Sequence, residues 1–211
     1  MKKLAITVIA CAAAVLCAPP RSSATGLEGG LKLGMNIAFI HGPDVKVWPD
    51  LEAGWVLRFG LCGGGFVALP LSEGVAIQAE ALITTKGSKE VGDLFATEVY
   101  NYSLMITYLE VPVLVRFTAV PASRSFNLVF MAGPALAFKL HSRFTLAGER
   151  LEFDGVRSKD LGLVISVGYV IRSQGYTEIR YTAGLSKVIE EGGVPLNIRN
   201  GVVSVIAGYR F

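Results

Sequence analysis

Hydrophobic residues make up 52% of this chain and charged residues 18%, yet beyond residue 24 nothing runs apolar for the about 20 residues that a membrane-spanning helix needs. The longest uncharged stretches, 59–72 and 125–138, are short and broken by Gly or Pro. Only two structures satisfy every backbone polar group in lipid, the helix and the closed barrel. So apolar a chain without spanning helices therefore points to alternating strands in a barrel.

The alternation is present along the chain. A period of two reads as strands over 27–40, 52–68, 74–86, 99–118, 125–141, 156–171, 175–188 and 199–211. In the first, Leu31, Leu33, Met35, Ile37 and Phe39 share one face, and Lys32, Gly34, Asn36 and Ala38 share the other. In the sixth, Leu161, Leu163, Ile165, Val167 and Tyr169 oppose Asp160, Gly162, Ser166 and Gly168. The polar face is built mostly of Gly, Ala, Ser and Thr with a few charges of both signs. Such residues suit the narrow interior of a small barrel better than a wall facing water. The apolar face carries no charge through the middle of most strands, as lipid contact requires.

The spacers support the same reading. Gaps at 41–51, 87–98, 142–155 and 189–198 are long and polar, and those at 69–73, 119–124 and 172–174 are short and carry turn residues. Membrane barrels show this asymmetry, with tight turns at one end and longer loops at the other. Three places resist. Tyr102, Leu104 and Ile106 are out of phase with Leu109, Val111, Val113 and Val115, which implies a bulge or a two-sided apolar stretch near Tyr108. Gly63-Gly64-Gly65 blurs the phase of the second strand. Pro112 and Pro134 fall inside strands of a wall without edges and call for bulges or strand ends.

The two ends of the chain carry signals of their own. Met1-Lys2-Lys3 is basic, residues 4–16 are apolar, and Ser22-Ser23-Ala24 are small, the pattern of a secretory signal peptide cleaved after Ala24. Residues 1–24 are thus expected to be removed and 25–211 to form one domain. The formal charge of +3 then disappears, because Lys2, Lys3 and Arg21 leave and no acid does. No basic excess remains to suggest nucleic acid. Cys11 and Cys17 leave too, so the single Cys62 allows no disulfide within the chain. At the other end Val203, Val205, Ala207, Tyr209 and Phe211 form one face of a last strand. Its terminal aromatic residues resemble the assembly signal of bacterial outer-membrane proteins.

Several segments together resemble the PorT-like family of outer-membrane β-barrel proteins. They are residues 30–36, Gln78-Ala79-Glu80-Ala81-Leu82 leading to Lys86-Gly87, Tyr108-Leu109-Glu110-Val111-Pro112-Val113-Leu114-Val115-Arg116, Ala132-Gly133-Pro134, Glu178-Ile179-Arg180-Tyr181 and residues 208–211. The resemblance implies a single outer-membrane barrel and implies that Pro112 is tolerated. It assigns no biochemistry.

The chemistry on offer is sparse. Glu80, Glu110, Arg116, Glu178 and Arg180 all fall on the inward phase, where buried charges have to be paired. They read as a structural ion-pair filling rather than a catalytic or transport site. His41 and His141 sit at the loop-side ends of the first and fifth strands, but no Ser or Asp spacing beside them marks a triad, and two His are few for a metal. Gly63-Gly64-Gly65 precedes no helix and makes a poor phosphate loop.

The expectation is an all-β chain, a single eight-stranded antiparallel transmembrane barrel of the outer-membrane type. It has a side-chain-filled lumen, no enzymatic activity and no cofactor. Its partners are outer-membrane lipid, the barrel-assembly machinery and whatever the outer loops meet. The alternatives are a soluble periplasmic barrel holding an apolar ligand, which needs a polar outer wall, and a lipid-modifying enzyme at the rim. If Tyr209 and Phe211 close the barrel as an assembly signal, deleting Phe211 lowers membrane levels more than deleting a residue from the 142–155 loop. Fractionation of the two variants measures this, and normal membrane levels without Tyr209 to Phe211 identify a dispensable tail.

Overall fold

The computed structural model describes residues 26–46, 57–89, 102–119, 127–146, 149–151, 155–171, 174–191 and 194–211. The expected signal peptide at 1–24 and much of the loops at 41–51 and 87–98 lie outside them. So do most of the turn at 119–124 and part of the 142–155 loop.

Eight strands form the wall: β1 (Glu28–His41), β2 (Arg58–Ser72), β3 (Val75–Lys89), β4 (Tyr102–Ala119), β5 (Asn127–Leu146), β6 (Lys159–Ile171), β7 (Gly175–Gly184) and β8 (Arg199–Arg210). Each pairs antiparallel with the next, and β8 returns to β1 over a register from Gly30↔Arg210 to His41↔Arg199. The sheet therefore closes and leaves no free edge along the wall, which in lipid would expose unpaired backbone groups.

The start of β1, the end of β8 and the Glu73–Gly74 turn share one end, where Gly74 takes the left-handed conformation the turn needs (φ +83). The long connections share the other end. There a 3₁₀ turn at Pro43–Lys46 follows β1, and Glu149–Leu151 folds back on the tip of β5. A small hairpin pairs Glu190–Glu191 with Val194–Pro195. Asp44 Oδ2 accepts a hydrogen bond from the Asn197 N–H at 2.6 Å and ties two of these loops together.

The two faces follow the alternation. Leu33 and Phe59 are each 71% exposed on the outside, and Ile165 and Val205 stay more than half exposed in an apolar belt. Lys32, Asn36, Glu80, Thr84, Glu178 and Arg180 point inward and are buried. β7 stops at Gly184 instead of running to 188, because the next residues turn over the barrel mouth, where Val188 is buried.

The resisting places resolve physically. β4 keeps one phase throughout: Leu104, Ile106, Tyr108, Glu110 and Leu114 all face inward. The irregularity lies in its partner, where Thr107↔His141 is followed by Tyr108↔Lys139 and Leu140 is left over. Tyr108 thus marks a stretch apolar on both faces, with the bulge on β5.

The prolines need neither bulges nor strand ends, contrary to expectation. The β3–β4 ladder passes from Ala79↔Val113 to Leu82↔Glu110, and the β4–β5 ladder from Pro112↔Ala135 to Val115↔Ala132, each keeping its register. A proline without an N–H removes ladder bonds locally, and long strands on both sides hold the pairing. In the triple glycine, Gly64 lies so close to the Ala81 carbonyl that a β-carbon would overlap it. Close strand approach explains that residue.

Because the outer belt faces lipid, Ile165→Arg or Val205→Arg lowers folding stability in lipid vesicles by about 2–4 kcal/mol at mid-depth. A cost under about 0.5 kcal/mol identifies a wall that faces water.

Candidate functional site in the barrel lumen

Inward charges stack in layers along the barrel axis. At the turn end, Arg116 Nη2 lies 2.5 Å from Glu28 Oε2, and Arg210 Nη1 reaches the same oxygen at 3.5 Å. Arg116 also donates to the amide oxygen of Gln78 at 3.3 Å.

Above it sits a closed quartet. Glu80 accepts from Lys32 Nζ at 2.5 Å and from the Arg180 guanidinium at 2.8 and 2.9 Å. Glu178 meets the same Lys32 at 3.2 Å and the same Arg180 at 2.8 Å. All of these side chains are almost wholly buried, and the two cations balance the two acids. β1, β3 and β7 supply them, and the Gln78 amide adds a further donor to Glu80 at 2.7 Å. Each group thus has opposite charge on more than one side, the condition under which buried charge is tolerated.

The third layer lies toward the loop end. Lys86 Nζ is 2.5 Å from Glu110 Oε2 and 3.7 Å from Asp160 Oδ2. Asp160 also accepts from Asn200 Nδ2 at 2.9 Å and from Ser186 Oγ at 2.8 Å. Here one cation faces two acids, and neutral donors complete the coordination of the second.

An apolar plug closes the loop end. Val156, Val188, Ile189 and Ile198 come down from the loops onto Ile40, Leu104, Ile106 and Tyr108 of the wall, all buried. Lys139 spans the rim and donates to the Val156 carbonyl at 2.6 Å. A second apolar patch, Leu114, Val129, Met131, Ala135 and Val164, lines the β4–β6 side lower down. Two small spaces lie among the described residues. A void of about 10 Å³ touches Cys62, Thr84, Lys86, Glu110 and Ser204, and a cavity of about 60 Å³ opens at the turn end beside Arg116, Arg210 and Tyr176.

All five charges singled out from the sequence face the lumen; Glu80 and Glu178 share Arg180, while Glu110 and Arg116 take partners outside the five. Glu110 pairs with Lys86, whereas Arg116 pairs with Glu28. Lys32 and Asp160, already on the polar faces of their strands, and Lys86, on the inward phase of Glu80, were not singled out as charges, although the alternation carries that signal. Tyr209 and Phe211 are exposed at the turn end with ring centroids 5.9 Å apart. Tyr209 Oη donates to Gln174 Oε1 at 3.1 Å, and the Phe211 N–H donates to the Gly29 carbonyl at 2.9 Å. His41 on β1 and His141 on β5 stand four strands apart around the wall and form no joint site. Among the described residues, no three His, Cys, Asp or Glu side chains gather as a metal site.

The chain is similar to several known structures. Neisserial surface protein A (NspA) is similar at a TM-score of 0.50 and 12% identity, covering 90% of this chain and 100% of that one. Ail, the attachment invasion locus protein of Yersinia pestis, solved with the heparin analogue sucrose octasulfate, gives 0.46 and 13%, covering 88% and 99%. OprG from Pseudomonas aeruginosa gives 0.43 and 12%, covering 88% and 94%. At these identities NspA supports the fold alone. No curated protein matches the chain in sequence. The family described as outer membrane protein β-barrel domain matches residues 20–190, most of the chain and all but the last of the wall strands, and the chain belongs to that family.

Proposed function

We propose that this protein is a structural outer-membrane barrel of the PorT-like kind, with a permanently filled lumen and with outer loops that carry whatever contacts vary. The observation behind this reading is the stacking of three ion-pair layers beneath an apolar plug, which supports a lumen without a continuous aqueous path. The charges act as filling: each meets an opposite charge, and the spaces described beside them, about 60 and 10 Å³, are small for a substrate of ordinary size. A soluble periplasmic barrel would want a polar exterior, and the apolar belt argues against one. In this reading residues 1–24 are removed on export, the turn end faces the periplasm, and Tyr209 and Phe211 present the last strand to the barrel-assembly machinery. The protein has no catalytic role and no cofactor.

Expressed in full, the protein stays in the pellet after alkaline carbonate extraction and migrates differently unheated in detergent gels. Its intact mass corresponds to a chain starting at Thr25, and it gives no stable conductance in planar bilayers. Recovery in the soluble periplasmic fraction overturns the membrane assignment, and a steady open-channel current overturns the filled lumen.

The quartet provides a second test. Glu80→Gln leaves Lys32 and Arg180 facing Glu178 alone, and breaking a buried pair in this way costs about 3–5 kcal/mol. Adding Lys32→Gln restores charge balance and recovers part of the loss, with a coupling of about 0.5–3 kcal/mol in urea unfolding from vesicles. Strict additivity of the two changes contradicts the filling role.

A further inference from the structure

The outward rows of three wall strands end alike. On β6 the row runs from Tyr169 through Val167, Ile165, Leu163 and Leu161, and then reaches Lys159. On β8 it runs from Tyr209 through Val205 to Arg199, and on β1 from Leu31 through Leu33 and Met35 to His41. Only β7 separates β6 from β8, and His41 is the register partner of Arg199. Each row is apolar from the turn end up to its last member, and that member is a basic side chain.

The rows are also of one length. Tyr169 to Lys159, Tyr209 to Arg199 and Leu31 to His41 each cover ten residue steps, about 33 Å of strand. At a tilt of about 40° this projects to about 25 Å along the axis, the height of the apolar band of a membrane barrel. The three basic side chains therefore stand at the headgroup level of the leaflet on the loop side. Two of the same rows begin on tyrosines at the turn end, so β6 and β8 meet the two leaflets with different chemistry.

β7 fills the space between the two cations with apolar surface. The Leu185 N–H donates to the Leu161 carbonyl at 2.7 Å, and both side chains are about half exposed on the outer wall. Lys159 is exposed and Arg199 half-exposed. Acids at this end are engaged elsewhere: Glu190 reaches Arg157 at 3.9 Å, Asp44 accepts from the Asn197 N–H, and Asp160 turns inward to Lys86. Two strand spacings put β6 and β8 roughly 10 Å apart. Long Lys and Arg side chains lay their stems on apolar surface and extend their charged heads, so both reach one group held between them.

We propose that Lys159 and Arg199 hold the phosphate of an anionic lipid in the loop-side leaflet, with its acyl chains lying on Leu161, Leu163 and Leu185. The proposal rests on the outer-membrane reading above and names the lipid chemistry that this part of the wall selects. The arginine offers paired N–H donors to phosphate oxygens, and the lysine adds a second positive charge. A zwitterionic headgroup brings its own cation to the same place and gains less. Free phosphate lacks the chains that cover the apolar strip beneath.

The test offers the refolded full-length barrel, in neutral detergent micelles, an equimolar mixture of phosphatidic acid and phosphatidylcholine with the same chains. Native mass spectrometry reads which lipid stays bound. The expected result is preferential retention of phosphatidic acid that excess inorganic phosphate does not reverse. Arg199→Gln and Lys159→Gln each lower that retention roughly fivefold, the effect of one cation at an anionic surface. Arg199→Lys recovers part of the loss, and Arg157→Gln leaves retention unchanged. Gel mobility that still shifts on heating shows each variant folded. Equal retention of the two lipids by a wild-type protein that shows this shift overturns the site alone, and a wild type without the shift overturns the barrel reading with it. A loss in Arg157→Gln as large as in Arg199→Gln overturns the position, and displacement by inorganic phosphate overturns a lipid as the occupant.

Discussion

In a hydrocarbon environment a backbone N–H or C=O without a partner costs several kcal/mol, and this single constraint organises the whole molecule. It forces the sheet to close, so β8 must find β1 across almost the full length of the chain. It also makes the two prolines informative. Pro112 and Pro134 each open a two-residue gap in a ladder, and both gaps fall near the middle of β4 and β5, the longest strands of the wall. Pairs on either side keep their register, so the loss stays local. A shorter strand would have less pairing left to hold it.

Closing a barrel of only eight strands creates the second problem, a lumen too narrow for water to fill freely. The inward positions must then be packed by side chains, and any charge among them must find its opposite within a few ångströms. The quartet of Lys32, Glu80, Glu178 and Arg180 shows what this demands. Four groups from three strands meet in one cluster in which no charge depends on a single partner. Breaking one contact therefore disturbs all four, which gives the interior specificity that apolar filling alone would not supply.

Alternation is a local property, so the strands, their faces and the inward phase of Glu80, Glu110, Arg116, Glu178 and Arg180 were legible in the sequence. Pairing across the lumen is not local. It depends on strand tilt and stagger, which put Lys86 beside Glu110 and brought Glu28 from the start of β1 to Arg116 near the end of β4. The plug was illegible for a related reason. Val156, Val188, Ile189 and Ile198 sit in stretches without a period, and only the folded loops show that they cover the mouth. Near Tyr108 the apparent break in phase was a stretch apolar on both faces, whose inward Leu104, Ile106 and Tyr108 pack against the plug while β4 keeps its phase.

The charge layers are not equivalent, and their differences follow from what surrounds them. The quartet is sealed on every side, so it has to be neutral in itself. The layer under the plug carries one acid more than its single lysine balances, and Asn200 and Ser186 offset that excess with direct hydrogen bonds to Asp160. At the turn end Glu28 holds both Arg116 and Arg210 through one oxygen, and there these side chains are partly open to solvent, so hydration shares in stabilising their charge.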